Sequence, residues 1–269
     1  TTMKDERLTL EYSATPIWYA GQNLPVIIRL ADLSTLSMFY SMMGAAISQD
    51  LCHRYPVIKE MLDEWTSLPA SAWQTQLERN EDLTGTLLEE TPWVFDNRSE
   101  NDRLHALAKC LGSSETDQAF EFALNRLVWS QNYDGGWSWM LGFETSQAIT
   151  AEILYGLGQM KEDGLIKVTS DIDRIIKNAL NYLDNYYFKR YDVKEKPQTL
   201  GYSELYYLLI RSYFQDYEFK GYTAASHHYF SRLAEAQDTH DLYLYYRAQL
   251  ALLMHRTGHK QEAAHVAAT

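Results

Sequence analysis

The chain of 269 residues is poor in the residues that punctuate or cross-link a fold. It has 6 prolines and 13 glycines, too few to break it into the many short strands and turns of an all-β protein. It has two cysteines, Cys52 and Cys110, and neither has a neighbour at zinc-ligand spacing. Two readings of the pair stay open: buried thiols packing as small apolar groups, or a disulfide if the protein is exported. Positive charge is also scarce, 24 Lys and Arg against 36 Asp and Glu for a net −12, so a phosphate backbone or an anionic membrane would be repelled. No run of roughly 20 apolar residues is present to span a bilayer. Thr1-Thr2-Met3-Lys4 has no signal-peptide core. Such a start reads as the interior of a longer chain, and any leader would then lie upstream.

What is abundant is apolar surface at helical spacing. Hydrophobic residues make up 46% of the chain, enough for a large core and too many for a disordered segment. Arg7-Leu8-Thr9-Leu10-Glu11-Tyr12 alternates with period two, which predicts one short strand. From there the period is helical. Leu36, Phe39, Met43 and Ile47 share a face, and so do Ile58, Met61, Leu62 and Trp65. The pattern returns at Leu104, Leu107, Ala108 and Leu111, and at Phe120, Leu124, Leu127 and Val128. It recurs at Ile149, Ile153, Leu157 and Met160, at Ile172, Ile175, Ile176, Ala179 and Leu183, at Leu205, Leu208 and Leu209, and at Leu242, Tyr246, Leu250 and Leu253. Each stripe needs a partner surface.

Breakers separate the stripes. Tyr55-Pro56, Leu68-Pro69, Thr91-Pro92 and Lys196-Pro197 each disfavour helix at the residue before proline. Ser113 or Ser114 is placed to cap a helix after Gly112. Asp163-Gly164 and Thr257-Gly258 have the form of helix C-terminal stops. Residues 80–100 are the longest weakly periodic stretch and predict a long connection. The expectation is an all-α chain of about ten helices in antiparallel hairpins, stacked as a solenoid or closed as an α/α toroid.

One segment is distinctive. In Gln131-Asn132-Tyr133-Asp134-Gly135-Gly136-Trp137-Ser138-Trp139, a helix runs into two glycines that permit backbone shapes barred to other residues. Asp134 can accept amide hydrogen bonds in the turn, and Trp137 can fold back as an apolar plug. The next helix is expected near Thr145 or Ser146.

This run resembles the Gln-x-x-x-Gly-x-Trp turn of α/α-toroid proteins: terpenoid cyclases, prenyltransferase β-subunits, and the thioester domains of the complement and alpha-macroglobulin family. A second likeness narrows the family. Ala14-Thr15-Pro16-Ile17-Trp18-Tyr19-Ala20-Gly21-Gln22-Asn23-Leu24-Pro25 is similar to the start of the thioester-type domain of bacterial alpha-macroglobulins, where a strand leads into an Asn-Pro-Ala-Trp-Tyr-Ala-type run. Thr91-Pro92-Trp93, Asn101-Asp102-Arg103-Leu104, and Ile149-Thr150 after the glycine turn add to it. The likeness touches separate points from residue 8 to about 160.

The resemblance implies a strand at 1–13 belonging to a neighbouring β-domain and a toroid over 14–269. It implies a large exported protein, periplasmic, cell-surface or secreted, whose β-sandwich siblings are this domain's partners and whose task is to trap or shield proteases. Active members carry a Cys-x-Glu-Gln thioester. Here Ser34 takes the cysteine position, Leu36 the glutamate and Ser37 the glutamine, so neither thiol nor carboxamide is present. Cys52 lies well downstream and has no following Glu-Gln. The expectation is therefore a domain with no catalytic residues, cofactor or metal, acting without covalent capture.

Other chemistry has weaker support in the residues. His227-His228 and His240 are close in sequence, and His255 and His259 are four apart, but Gly258 is expected to end the helix between the last two. A zinc site needs three or four converging ligands. Seven tryptophans and 20 tyrosines could line a sugar cleft, and Asp134, Glu144 and Glu204 are candidate carboxylates for the opposed pair that glycoside hydrolysis requires. The alternatives to the macroglobulin reading are thus an α/α-toroid carbohydrate-active enzyme and a helical binding scaffold. No phosphate-binding loop or Gly-x-Ser-x-Gly elbow occurs.

Overall fold

The computed structural model describes residues 16–29, 34–69, 100–239 and 242–268. Among them the regular structure is helical, in eleven segments: α1 (Pro16–Ile28), α2 (Thr35–Arg54), α3 (Pro56–Ser67), α4 (Glu100–Cys110), α5 (Ser114–Trp129), α6 (Gln147–Glu162), α7 (Ser170–Tyr191), α8 (Tyr202–Ser212), α9 (Thr223–Glu235), α10 (Leu244–Arg256) and α11 (Lys260–Ala268). The chain is all-α. The strand expected at 7–12 and the Thr91-Pro92-Trp93 run lie outside the described residues.

Contacts divide the chain into two compact units. One takes in Thr1–Arg29 and Ile47–Gln118, the other Leu30–Ala46 and Ala119–Thr269, so the divisions fall inside α2 and α5 rather than at a change of composition.

In the first unit α1 and α3 both pack on α4. Leu62, Leu107, Ala108 and Leu111 form its buried cluster, with Ile58, Met61, Trp65, Leu51 and Cys52 around it, as the helical periodicity predicts. Cys52 and Cys110 are free thiols here, each pushed above the usual range chiefly by burial. Helix α1 has no forecast in the periodicity, because Pro25 stands inside it. A proline there removes one backbone donor and normally marks a break.

In the second unit α6 packs on α7 and α8, α7 on α9, α8 on α9 and α10, and α10 on α11. Alternate helices therefore touch: α6, α8 and α10 form one row, α7 and α9 another. The core runs through all of them, from Phe39 and Met42 through Leu127, Ile153, Leu157, Ile176 and Leu183 to Leu209, Phe230 and Leu250. Phe39 of α2 seats on α6 at Gly156, where the missing side chain leaves room for its ring.

Helix ends follow local chemistry. Thr116 N–H donates to Ser113 Oγ at 3.3 Å, Ile149 N–H to Ser146 Oγ at 3.4 Å, and Ile172 N–H to Thr169 Oγ1 at 3.4 Å. Gly164 (φ 71°) and Gly258 (φ 95°) supply the left-handed residues that stop α6 and α10. The buried face of α2 differs from the expected one. Met38, Phe39, Met42, Ala45 and Ala46 are buried, while Leu36, Met43 and Ile47 are only partly covered. Apolar residues surround this helix, so periodicity does not select a face. Tertiary packing decides it, burying Ser41 and Ala45 on the same side as Met38 and Met42.

Candidate functional site

The two segments singled out in the sequence meet in the second unit. Thr35 N–H donates to the carbonyl of Trp139 at 3.1 Å, joining the first turn of α2 to the glycine turn.

At the start of α2, Ser34 and Ser37 form a reciprocal pair. Ser34 N–H donates to Ser37 Oγ at 2.7 Å, and Ser37 N–H donates to Ser34 Oγ at 3.2 Å. Ser37 Oγ in turn donates to the Ser34 carbonyl at 2.8 Å. This is the logic of a capping box, with serine in place of the usual Glu or Gln at the third position. Leu36 is partly buried and packs against the core. Both hydroxyls are therefore occupied in closing a helix end. We expect Ser34→Ala to lower stability by about 0.5–2 kcal/mol, measured by urea unfolding, and Ser37→Glu to keep most of it by restoring the commoner box.

The glycine turn is held from several sides. Asp134 Oδ1 accepts from Gly136 N–H at 3.1 Å and from Thr145 Oγ1 at 2.9 Å. Gln131 Nε2 donates to the carbonyls of Gly135 and Ile175, both at 2.9 Å, and its Oε1 accepts from Asn178 at 3.2 Å. Trp137 is fully buried; its Nε1–H donates to Leu127 O at 3.0 Å and its backbone N–H to Thr150 Oγ1 at 2.9 Å. Asp134 and Trp137 thus take the positions that the motif predicts. The turn ends in an isolated bridge between Trp137 and Ser146, which caps α6.

The three candidate carboxylates do not share a cleft. Asp134 is spent on the turn, Glu144 is exposed beyond it, and Glu204 is buried at the start of α8, paired with Arg190 at 2.7 Å. Among the histidines, His227 is largely buried against Phe219, its ring centroid 4.6 Å away, and burial pushes its pKa down to about 4. His228, His255 and His259 are exposed, the last two on either side of the Gly258 stop; His240 lies outside the described residues. Among the described residues no three His, Cys, Asp or Glu side chains cluster as a metal site would require.

The sequence gives no warning of two further polar constellations. In one, Asp184 and Arg211 are buried together with their charges 3.5 Å apart, an ion pair too long for a hydrogen bond. Tyr207 OH donates to Asp184 at 2.7 Å, Arg211 Nη2–H donates to the Tyr217 carbonyl at 2.9 Å, and the guanidinium lies 3.8 Å from the Phe219 ring centroid. Burial raises the Asp184 pKa and the arginine opposes it. The pair ties α7 to α8.

The other is a tyrosine-walled pocket of about 350 Å³ between the N-terminal parts of α6, α8 and α10. Its charged group is Glu152. Oε1 accepts from Tyr40 OH at 2.8 Å and Oε2 from Tyr206 OH at 3.0 Å. Burial and this carboxylate push the Tyr40 phenol up to about 12, and they raise Tyr206 as well. Tyr202 and Tyr246 stack with centroids 3.7 Å apart at the rim.

Comparisons of the chain with known protein families, with characterised proteins and with solved structures give no match.

Proposed function

We propose that the chain is a non-catalytic thioester-type domain of a large exported, bacterial alpha-macroglobulin-like protein, serving a protease trap that works without a covalent bond. The observation that carries this reading is the closed Ser34–Ser37 pair at the start of α2. The family resemblance places a reactive thioester there. This chain has instead two hydroxyls that satisfy helix-end amides, joined through Thr35 to the turn that supplies the other half of the resemblance. The touching of alternate helices, α6 with α8 and α10, and α7 with α9, supports an α/α-toroid arrangement for the second unit. In this reading residues 1–13 form a strand of a neighbouring β-domain, 14–269 the toroid, and the contacts that matter are with sibling β-sandwich domains and a captured protease. No described helix is long and apolar enough to cross a membrane.

A toroidal carbohydrate-active enzyme is less well supported. Retaining and inverting glycosidases use two carboxylates across the scissile bond. Glu152 is the one carboxylate among the described residues lining the tyrosine pocket.

The test is chemical. A thioester forms when a cysteine sulfur attacks a glutamine side-chain amide, breaking its C–N bond and releasing ammonia, and small amines open it by attacking that acyl carbon and releasing the thiol. With Ser34 and Ser37 at those positions there is no acyl donor. Mass spectrometry before and after methylamine treatment should show no mass change. A gain fitting one amine, with a newly titratable thiol, would overturn the proposal.

A further inference from the structure

We infer that the tyrosine-walled pocket among α6, α8 and α10 is a binding site for a protonated ammonium or guanidinium group, because Glu152 and the tyrosine faces present to one cavity only what such a group needs. The site is independent of the thioester reading and would stand if that reading failed.

The pocket is built rather than incidental. Its volume, about 350 Å³, falls in the range of small-molecule sites, roughly 300–1,000 Å³. Three helices from separate parts of the chain contribute: Gln147 and Glu152 from α6, Tyr202 and Tyr206 from α8, Tyr246 and Gln249 from α10. Gln249 is buried in the pocket wall.

The polarity is one-sided. Glu152 is held in place by one phenol on each oxygen. An ionised carboxylate has about four lone-pair sites, so two donors leave it with acceptor capacity. No Lys or Arg lines the pocket among the described residues, so no cation there offsets Glu152. Around the carboxylate are aromatic faces, with Tyr202 and Tyr246 stacked and Tyr245 edge-on to Tyr246 at 5.3 Å. Tyrosine faces attract cations through the ring quadrupole. An anionic ligand would meet Glu152 unfavourably. A neutral sugar could stack on the rings but would gain nothing from the carboxylate's charge. A group that is positive, rich in N–H donors and borne on an apolar stem uses every feature. The chain's net charge of −12 would draw it in.

Such a group can come from a basic side chain of a peptide or from a free polyamine. The whole chain is titrated calorimetrically, at low ionic strength, with Nα-acetyl-arginine amide, spermidine, Nα-acetyl-citrulline amide and glucose. The citrulline compound matches the arginine one in shape but lacks its charge. Saturable binding of either cation is expected, with the citrulline compound and glucose at least tenfold weaker. The tighter of the two cations identifies the source. Glu152→Gln should weaken the cation at least tenfold. Because that change also alters two phenol bonds, Tyr245→Ala is a second probe: its ring is exposed, its loss should leave Tm unchanged, and cation binding should fall about threefold or more. The inference is overturned if neither cation saturates. It is also overturned if citrulline or glucose binds as tightly as arginine, or if both variants fold and bind unchanged.

Discussion

Replacing Trp137 with alanine is expected to lower stability by about 3–5 kcal/mol, the largest loss from any single truncation in the glycine turn. The side chain is fully buried and belongs to the main core cluster, so its removal leaves a cavity among helices that the backbone cannot close. It also removes the indole N–H bond to the Leu127 carbonyl at 3.0 Å, leaving that oxygen only its bond from Ser130 Oγ at 3.0 Å. Trp137→Phe separates the two contributions. It keeps much of the volume and loses the hydrogen bond, so its cost should be smaller, roughly 1–3 kcal/mol. Urea unfolding followed by circular dichroism measures both. A loss below about 1 kcal/mol for the alanine variant, the range of surface positions, would show that the tryptophan does not anchor the turn.

Gly135→Ala should cost about 2–6 kcal/mol, for two additive reasons. Gly135 has φ 95°, a conformation that strains any residue with a Cβ by about 1–3 kcal/mol. An added Cβ would also come nearer than 3.0 Å to the backbone carbonyl of Asn178 in α7. Backbone cannot swing aside like the end of a flexible side chain, so overpacking adds about 1–3 kcal/mol. Gly142 is an internal control. It too has positive φ, 83°, but open space surrounds its Cβ position, so Gly142→Ala should show the strain alone. Equal effects at the two glycines would mean that the approach of α7 to the turn does not matter.

The difference between these positions also indicates what the sequence can and cannot disclose. Helix stops at Gly164 and Gly258, the serine cap after Gly112, a helix start near Ser146 and the burial of Trp137 are local matters, and local residue chemistry forecasts them. The second face of α2 is a different case. Apolar residues on all sides leave the choice to tertiary packing, which buries Met38, Phe39 and Met42. Helices α9 and α11 show no apolar stripe in the sequence because Thr-Ala-Ala-Ser-His-His and Lys-Gln-Glu-Ala-Ala-His carry few large apolar residues; Phe230, Ala234, Ala263 and Val266 pack them into the core. Pro25 hid α1 by the usual rule. The tyrosine pocket was the least legible. Glu152 and Gln249 are 97 positions apart on helix faces of ordinary pattern, and only the packing of α6, α8 and α10 brings them together.

The serine pair at the start of α2 and the buried ion pair between α7 and α8 are built for holding shape. In the proposed function, such a domain would contribute to the trap through its surfaces, and the trap would act by enclosing its target.

The most direct measurement uses the longer polypeptide that this reading implies, mixed with an active protease and then assayed on a small chromogenic peptide and on a large protein substrate, with a denaturing gel run alongside. The account predicts that cleavage of the small peptide persists, that cleavage of the large substrate is suppressed, and that no conjugate survives denaturation. Unimpeded cleavage of the large substrate, or a denaturant-resistant adduct joined to this domain, would contradict it.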